Sequence, residues 1–276
     1  MLASGVTVHL VENGGKPSQA AKMAARRKSA YAALAADLLS SPPLSSSSPL
    51  PFLGVDCEMA DYEKVKGLSD HVRLCFVQTS SRRVVVIEAL TSRRGEREGG
   101  LSDELRGILV DGEVEKVFCA KRQDVAALNA EMEAGGGGES GAGKVNNVRD
   151  VQTLARNFGR KGGEGKGGGG GVGKEPGLAK VLSFASRGLV FTKRSIKKEQ
   201  WWRLRSPEEM IAAAGYVQYA AADAWGTWLS YELMRKENEE GGTGWRGEEE
   251  GEEARYEELV SSLRGATAVS DVLKRE

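Results

Sequence analysis

The chain has 276 residues, of which 40% are hydrophobic and 28% are charged, so it is long enough for one large domain or two small ones. Its 39 basic and 39 acidic residues give a formal net charge of zero, so overall charge provides no argument for a nucleic-acid partner, and local patches would have to supply that contact. Three widely spaced cysteines are typical of reduced thiols in an intracellular protein, nuclear or cytoplasmic, and no apolar run reaches the ~20 residues that span a bilayer.

The first 51 residues allow two interpretations. They are rich in alanine and serine, and a basic cluster at 22–28 has no acidic neighbours, which is typical of an organelle-targeting peptide. Alternating apolar residues at 6–11 and helical apolar spacing at 29–39 instead predict a strand and a helix. We prefer this strand and helix, attached to the following domain through the Ser/Pro-rich segment 40–51.

Residues 52–235 are predicted to form one globular domain. Three β-branched apolar runs predict adjacent strands, and shorter strands then alternate with segments of helical spacing, the first of them capped by Ser102. The predicted strands are 52–58, 72–80, 84–90, 116–120 and 145–150, and the predicted helices are 102–110, 124–132, 151–158, 177–186 and 206–234, the last as one helix or two. This order predicts an α/β fold with a mixed sheet and helices on both faces.

Two glycine-rich tracts interrupt this domain at 135–143 and 161–173. Neither has the spacing of a phosphate-binding loop after a strand, so both are predicted to be flexible surface insertions. Residues 236–276 begin with a glutamate-rich stretch, which predicts a solvated acidic linker followed by a possible C-terminal helix.

Two acids lie within the first predicted strand of the domain. Asp56 and Glu58 are two residues apart, so both side chains would face the same side of the sheet and Cys57 the other. Their apolar neighbours indicate a mostly buried strand, where two adjacent carboxylates repel each other unless a cation compensates them. A pair of solvated surface acids is the alternative for this motif.

A tyrosine and two further aspartates extend this acidic set. Tyr219 and Asp223 are four residues apart on the last predicted helix and would share one face, although a buried tyrosine bonded to an aspartate would give the same pattern. Asp124 follows the predicted strand 116–120, at a loop or first helical turn where an aspartate is usually a helix cap.

These motifs together resemble a known family. D-x-E on a strand, an aspartate after a later strand and Y-x-x-x-D on a late helix occur in the order of the three exonuclease motifs of the DEDD superfamily. The pattern is most similar to the tyrosine branch, which includes RNase D, the exosome-associated Rrp-type nuclease and the Werner-type exonuclease. The resemblance covers roughly residues 50–235 and extends to the segments 71–90, 146–159, 177–202 and 219–225.

One position distinguishes the branches. The histidine branch places its base five residues before the last aspartate, where this chain has Gln218, whereas Tyr219 stands four before Asp223. The two histidines of the chain, His9 and His71, are remote from this segment. The tyrosine branch is therefore the consistent interpretation.

The resemblance implies a fold and a reaction. The fold is the ribonuclease H-like three-layer arrangement, and the reaction is 3′-to-5′ exonuclease hydrolysis that releases nucleoside 5′-monophosphates with two Mg²⁺ or Mn²⁺ ions. Asp56 is then expected to bridge both ions, Glu58 and Asp223 to hold the first, and Asp124 to act through bound water or the second. Tyr219 is expected to orient the attacking water.

A basic and aromatic segment at 191–205 is the candidate contact for a single-stranded 3′ end. RNA is favoured over DNA because the motifs are closer to RNase D. The candidate residues are Lys193, Arg194, Lys197, Lys198, Trp201, Trp202 and Arg203. The alternative is an exposed charged turn that one tryptophan anchors to the core.

Two departures from the family pattern keep another function open. Cys119 stands where RNase D-like sequences often have a histidine, and Arg205-Ser206-Pro207 replaces the usual Arg-Pro-Leu. A catalytically weak or inactive nuclease-fold protein that binds RNA as an adaptor is therefore the alternative, although all four acids are present. A third interpretation, in which the acids merely cap helices, predicts that their side chains are dispersed.

Overall fold

The computed structural model describes residues 6–13, 17–40, 50–60, 73–90, 100–135, 143–161, 176–186, 196, 201, 204, 207–213 and 215–239. Within these residues the strands are β1 (Thr7–Asn13), β2 (Phe52–Ala60), β3 (Arg73–Ser80), β4 (Val84–Leu90), β5 (Glu115–Phe118) and β6 (Val148–Asp150). The helices are α1 (Ala20–Ser40), which follows a 3-10 turn at Pro17–Gln19, α2 (Asp103–Val110), α3 (Lys121–Gly135), α4 (Val151–Lys161), α5 (Leu178–Ala185), α6 (Pro207–Ala212) and α7 (Tyr216–Glu239).

The described strands form one mixed sheet in the order β1-β4-β3-β2-β5-β6. β2, β3 and β4 are antiparallel neighbours, whereas β1 runs parallel to β4, β5 to β2, and β6 to β5. The predicted mixed α/β sheet is thus confirmed, and the last predicted helix is two helices, α6 and α7. Most of both glycine tracts and the whole segment 240–276 lie outside the described residues, and the domain boundaries stay predictions.

Alternation along the strands separates two buried layers. On one face Phe76, Ile87 and Val117 pack with residues of α4, α5, α6 and α7. On the other face Val55 and Val77 pack with residues of α1, α2 and α3. Helices therefore cover both faces, as predicted, and none of the helices in the described ranges is long and apolar enough to cross a membrane.

Glu88 interrupts the apolar run of β4 and is fully buried. The Tyr31 hydroxyl donates to its carboxylate at 2.8 Å, and the Ser102 backbone N–H and hydroxyl donate at 2.8 and 2.7 Å. Ser102 also accepts from the Leu105 backbone N–H at 3.3 Å, so the predicted N-cap of α2 is confirmed. These bonds satisfy the buried carboxylate and join α1, β4 and α2.

α7 approaches the sheet closely at Gly54 in β2. A Cβ atom at this position would overlap the Ala224 carbonyl oxygen and lie 2.6 Å from the Trp228 backbone N and 2.9 Å from its Cβ. The obstacles are mainly backbone atoms of α7, which cannot rotate away as a flexible side chain could. Glycine at 54 therefore sets the distance between α7 and β2.

We expect Gly54→Ala to lower the free energy of unfolding by about 1–3 kcal/mol, because the added methyl group displaces α7. Urea denaturation measures this change. The matched control is Gly107→Ala in α2, where an added Cβ meets no atom within 4 Å and the gain in helix propensity is about 0.5–1 kcal/mol. Equal effects of the two substitutions would contradict the close packing at Gly54.

Candidate active site

β2 carries the first two acids of the site. Asp56 and Glu58 of β2 lie directly opposite Gln78 and Phe76 of β3. Because directly opposite residues of a sheet share a face, all four side chains project toward α7. The β2–β3 register shifts between Glu58 and Met59, so regular pairing is interrupted beside the acids. Both carboxylates therefore lie between the sheet and α7.

Cys57 faces the opposite layer, where it is buried among apolar side chains, as the alternation predicts. Burial, followed by the nearby charges of Asp124, Asp56 and Glu58, raises the pKa of the Cys57 thiol well above its usual value. The thiol consequently stays protonated and is a small core group.

α7 supplies the tyrosine and the third acid. Gly215, with φ of 90°, occupies the left-handed region that glycine tolerates, and its carbonyl accepts from the Tyr219 backbone N–H at 2.9 Å. This turn starts α7 so that Tyr219 and Asp223 lie one helical turn apart on the same face. Ala220, Ala221 and Ala222 are buried between them and allow a close approach to neighbouring elements.

The structure brings three of the four predicted acids together. One carboxylate oxygen from each of Asp56, Glu58 and Asp223 lies within 4.8 Å of the other two. Glu58 and Asp223 are buried and Asp56 is half-buried. Three convergent carboxylates provide the hard oxygen donors that Mg²⁺ and Mn²⁺ prefer, so the donor set fits a divalent cation.

Tyr219 is bound to this group through Asp223. Its hydroxyl shares a hydrogen bond with the Asp223 carboxylate. Burial, followed by the charges of Asp223, Glu58 and Asp56, raises the pKa of the Tyr219 hydroxyl far above its usual value. In the metal-free protein the phenol therefore keeps its proton and can donate a hydrogen bond.

The fourth acid, Asp124, lies in the first turn of α3, as predicted, but outside the group of three. Ala120, the residue directly before α3, has φ of 70°, a strained conformation for alanine, and turns the chain from β5 into α3. Burial and the charge of Asp150 raise the pKa of Asp124 to about 7. The structure thus places Asp124 in a second acidic pair at the ends of β5 and β6.

Asp150 was not predicted as a site residue. Its carboxylate accepts from the backbone N–H groups of Gln152 at 2.9 Å and Lys121 at 3.3 Å, which ties the start of α4 to the start of α3. The sequence feature that could have identified it is its position at the end of a predicted strand, directly before a predicted helix. Because β5 and β6 are parallel, residues after their carboxyl ends meet at one edge of the sheet.

Trp201 requires a correction. It was a candidate for stacking on bases, but it is only 1% exposed and packs against Phe76, Tyr216 and Tyr219 at ring-centroid distances of 5.5, 4.8 and 6.2 Å. A base cannot reach this indole, so the alternative of a tryptophan anchored in the core is the correct one for Trp201. The other candidate contacts lie outside the described residues and stay predictions: Lys193, Arg194, Lys197, Lys198, Trp202 and Arg203.

Comparison with known proteins identifies the fold. No protein-family model and no curated protein sequence matches the chain. RNase D of Trypanosoma brucei has a similar structure, with a TM-score of 0.51 and 15% identity over 96% of this chain and 73% of that one. The catalytic core of Trypanosoma brucei RRP6 has a TM-score of 0.50 and 16% identity over 84% of this chain and 47% of that one. The chain therefore has the ribonuclease H-like α/β fold of these structures, and the resemblance drawn from the motifs is confirmed at the level of the fold.

A third solved structure is less similar. Brucella melitensis NrnC with bound Mg²⁺ has a TM-score of 0.47 and 15% identity over 96% of this chain and 98% of that one. The assignment of the fold rests on the two structures from Trypanosoma brucei, which have the higher TM-scores.

The raised pKa of Asp124 predicts how the stability of the metal-free protein depends on pH. Between pH 4 and about 7 the folded state retains a proton that the unfolded chain has released, so the free energy of unfolding falls as the pH rises through this window. Asp124→Asn should remove this component, which is at most about 1.4 kcal/mol per pH unit. Urea denaturation in EDTA from pH 4 to 8 measures the difference between the two proteins. A constant difference across this range would contradict the buried pairing of Asp124 with Asp150.

Proposed function

We propose that this protein is a metal-dependent 3′-to-5′ exonuclease of the tyrosine branch of the DEDD superfamily. The observation that carries the proposal is the convergence of Asp56, Glu58 and Asp223 beside a tyrosine that is hydrogen-bonded to one of them. The motif order D-x-E, D and Y-x-x-x-D, on a fold shared with RNase D, supports the same assignment.

The acids act as cation ligands in this proposal. Asp56, Glu58 and Asp223 hold the first divalent ion, and Asp124 contributes to a second ion, directly or through water. Bound Mg²⁺ or Mn²⁺ ions lower the pKa of water and neutralise the charge that develops on a phosphodiester during hydrolysis. A bound cation also removes the repulsion among the carboxylates, which gives these buried acids a physical reason to lie together.

Tyr219 positions the attacking water. Its hydroxyl stays protonated beside three carboxylates and is held at Asp223, so it has a fixed orientation toward the acidic group. A phenol in this position orients a water by hydrogen bonding but does not remove its proton. The packing of its ring near Trp201 keeps this geometry rigid.

The substrate in this proposal is the 3′ end of a single-stranded nucleic acid, and the products are nucleoside 5′-monophosphates. Similarity to a structure named RNase D favours RNA over DNA. The basic segment 191–205 would bind phosphates, with Trp202 in place of Trp201 as the candidate for stacking on a base.

The second candidate function, an RNA-binding adaptor of low activity, has one structural observation in its favour. Asp124 is paired with Asp150 and lies outside the group of three acids. If Asp124 stays paired with Asp150 when divalent ions bind, the site would hold one ion tightly and would hydrolyse RNA slowly. Metal-dependent RNA binding without release of mononucleotides would identify this function.

Degradation of 5′-labelled single-stranded RNA and DNA of the same sequence tests the proposed activity. With Mg²⁺ or Mn²⁺ we expect a ladder of products shortened from the 3′ end, and EDTA should abolish it. Asp56→Asn and Asp223→Asn should each lower kcat/KM about 1000-fold, because loss of a cation ligand raises the barrier by ~4 kcal/mol. Asp103→Asn, an exposed residue in the first turn of α2, is the matched control. Full activity of either site variant would contradict the assignment of exonuclease activity to this acidic group.

Tyr219→Phe tests the role of the hydroxyl separately from that of the ring. The substitution retains the packing against Trp201 but removes the hydrogen bond to Asp223. We expect kcat to fall about 10- to 100-fold, which corresponds to the loss of one hydrogen bond to a charged group, with KM unchanged. A larger change in KM than in kcat would show that Tyr219 acts in substrate binding.

A further inference from the structure

Gln78, in the middle of β3, is a buried polar residue that the proposed function does not use. Its side chain is 0% exposed, and neither its carboxamide oxygen nor its nitrogen has a hydrogen-bond partner among the described residues. Buried amide groups are almost always hydrogen-bonded, because an unpaired one lowers the stability of the fold. Such an amide can bond to an ordered water that bridges it to a second polar group.

The sheet register places Gln78 beside the acidic group. Gln78 lies directly opposite Asp56 in the antiparallel β2–β3 pair and opposite Ile87 in the β3–β4 pair. Both neighbours share its face, which is the face that α7 covers. Side chains directly opposite one another have Cβ atoms about 4.5–5.5 Å apart, so one water can bridge the carboxamide and the Asp56 carboxylate.

Phe76 links Gln78 to the other side of the site. It lies two residues before Gln78 on the same face and contacts Trp201, which in turn packs against Tyr219. Among the neighbours of Gln78 on this face, Phe76 and Ile87 are apolar, whereas Asp56, directly opposite in β2, is charged. The sheet register therefore places a charged hydrogen-bond acceptor, the Asp56 carboxylate, beside the carboxamide.

We propose that Gln78 is a positioning residue for Asp56: its carboxamide N–H, through one ordered water, orients the Asp56 carboxylate for divalent-cation binding. The inference rests on the proposed function and deepens it. A neutral amide suits this task, because it fixes a carboxylate without placing a positive charge beside the cation, as lysine or arginine would. Substitution of a group that orients a metal ligand typically lowers metal affinity or activity 10- to 100-fold.

Thr79 provides a matched control. It is the next residue of β3, is also 0% exposed, and its hydroxyl likewise has no hydrogen-bond partner among the described residues. Strand alternation turns it to the opposite face, where it lies between Val55 and Val86, away from α7. Thr79→Val therefore removes an unpaired polar group of the same strand without touching the acidic site.

The test compares Gln78→Met, Thr79→Val and wild type in thermal unfolding with and without Mn²⁺, and in the exonuclease assay. In EDTA, both variants should unfold at the same temperature as wild type or higher, because each loses an unpaired buried polar group. In Gln78→Met, the Mn²⁺ concentration for half-maximal stabilisation should rise about 10- to 100-fold, and kcat at subsaturating Mn²⁺ should fall by a similar factor. Thr79→Val should match wild type in both measurements.

Several outcomes would overturn the role of Gln78. One is an unchanged Mn²⁺ requirement in Gln78→Met, and another is a lower unfolding temperature of this variant in EDTA, which would mean that the amide is paired within the protein. The proposed role of Gln78 would also be contradicted if Mn²⁺ does not stabilise the wild-type protein. If wild type binds Mn²⁺ but degrades neither RNA nor DNA, the exonuclease proposal fails, and the Mn²⁺ titration of Gln78→Met alone decides the role of Gln78.

Discussion

The contact between α7 and β2 at Gly54 is the constraint on which the site depends. Gly54 precedes Asp56 by two residues, and the α7 backbone that it touches, at Ala224, directly follows Asp223. One steric contact therefore fixes the separation of two strand acids and one helix acid. A side chain at position 54 would move α7 as a unit, because the close atoms belong to its backbone. The packing of this layer and the geometry of the acidic group have the same physical origin.

The electrostatics of the site follow from this enforced proximity. Burial and mutual repulsion oppose ionisation of grouped carboxylates, and the raised pKa values of Tyr219 and Asp124 show the effect at two ends of the site. A fold gains no stability from such an arrangement without a compensating charge. A bound divalent cation would explain why the acids are grouped, because its positive charge compensates the repulsion among the carboxylates. Groups with pKa values perturbed by burial and by neighbouring charges are frequent at functional sites.

Much of the secondary structure could be predicted because its signals are local. Two-residue alternation places Asp56 and Glu58 on one face, and helical spacing does the same for Tyr219 and Asp223. The pairing of strands is not local, so the sequence indicates neither that β1 lies beside β4 nor that Gln78 faces Asp56. Asp150 was not predicted as a site residue because its proximity to Asp124 depends on the pairing of β5 with β6, which is not local. Two consecutive tryptophans give no periodicity, so the inward position of Trp201 required the structure.

The most direct measurement of the central claim is a crystal structure of the protein soaked in Mn²⁺, with anomalous diffraction to locate the ion. We expect an anomalous peak coordinated by Asp56, Glu58 and Asp223, with the Tyr219 hydroxyl facing the same space. A peak bound elsewhere, or side chains of these three acids directed away from one another, would contradict the claim that α7 and β2 together form a cation site.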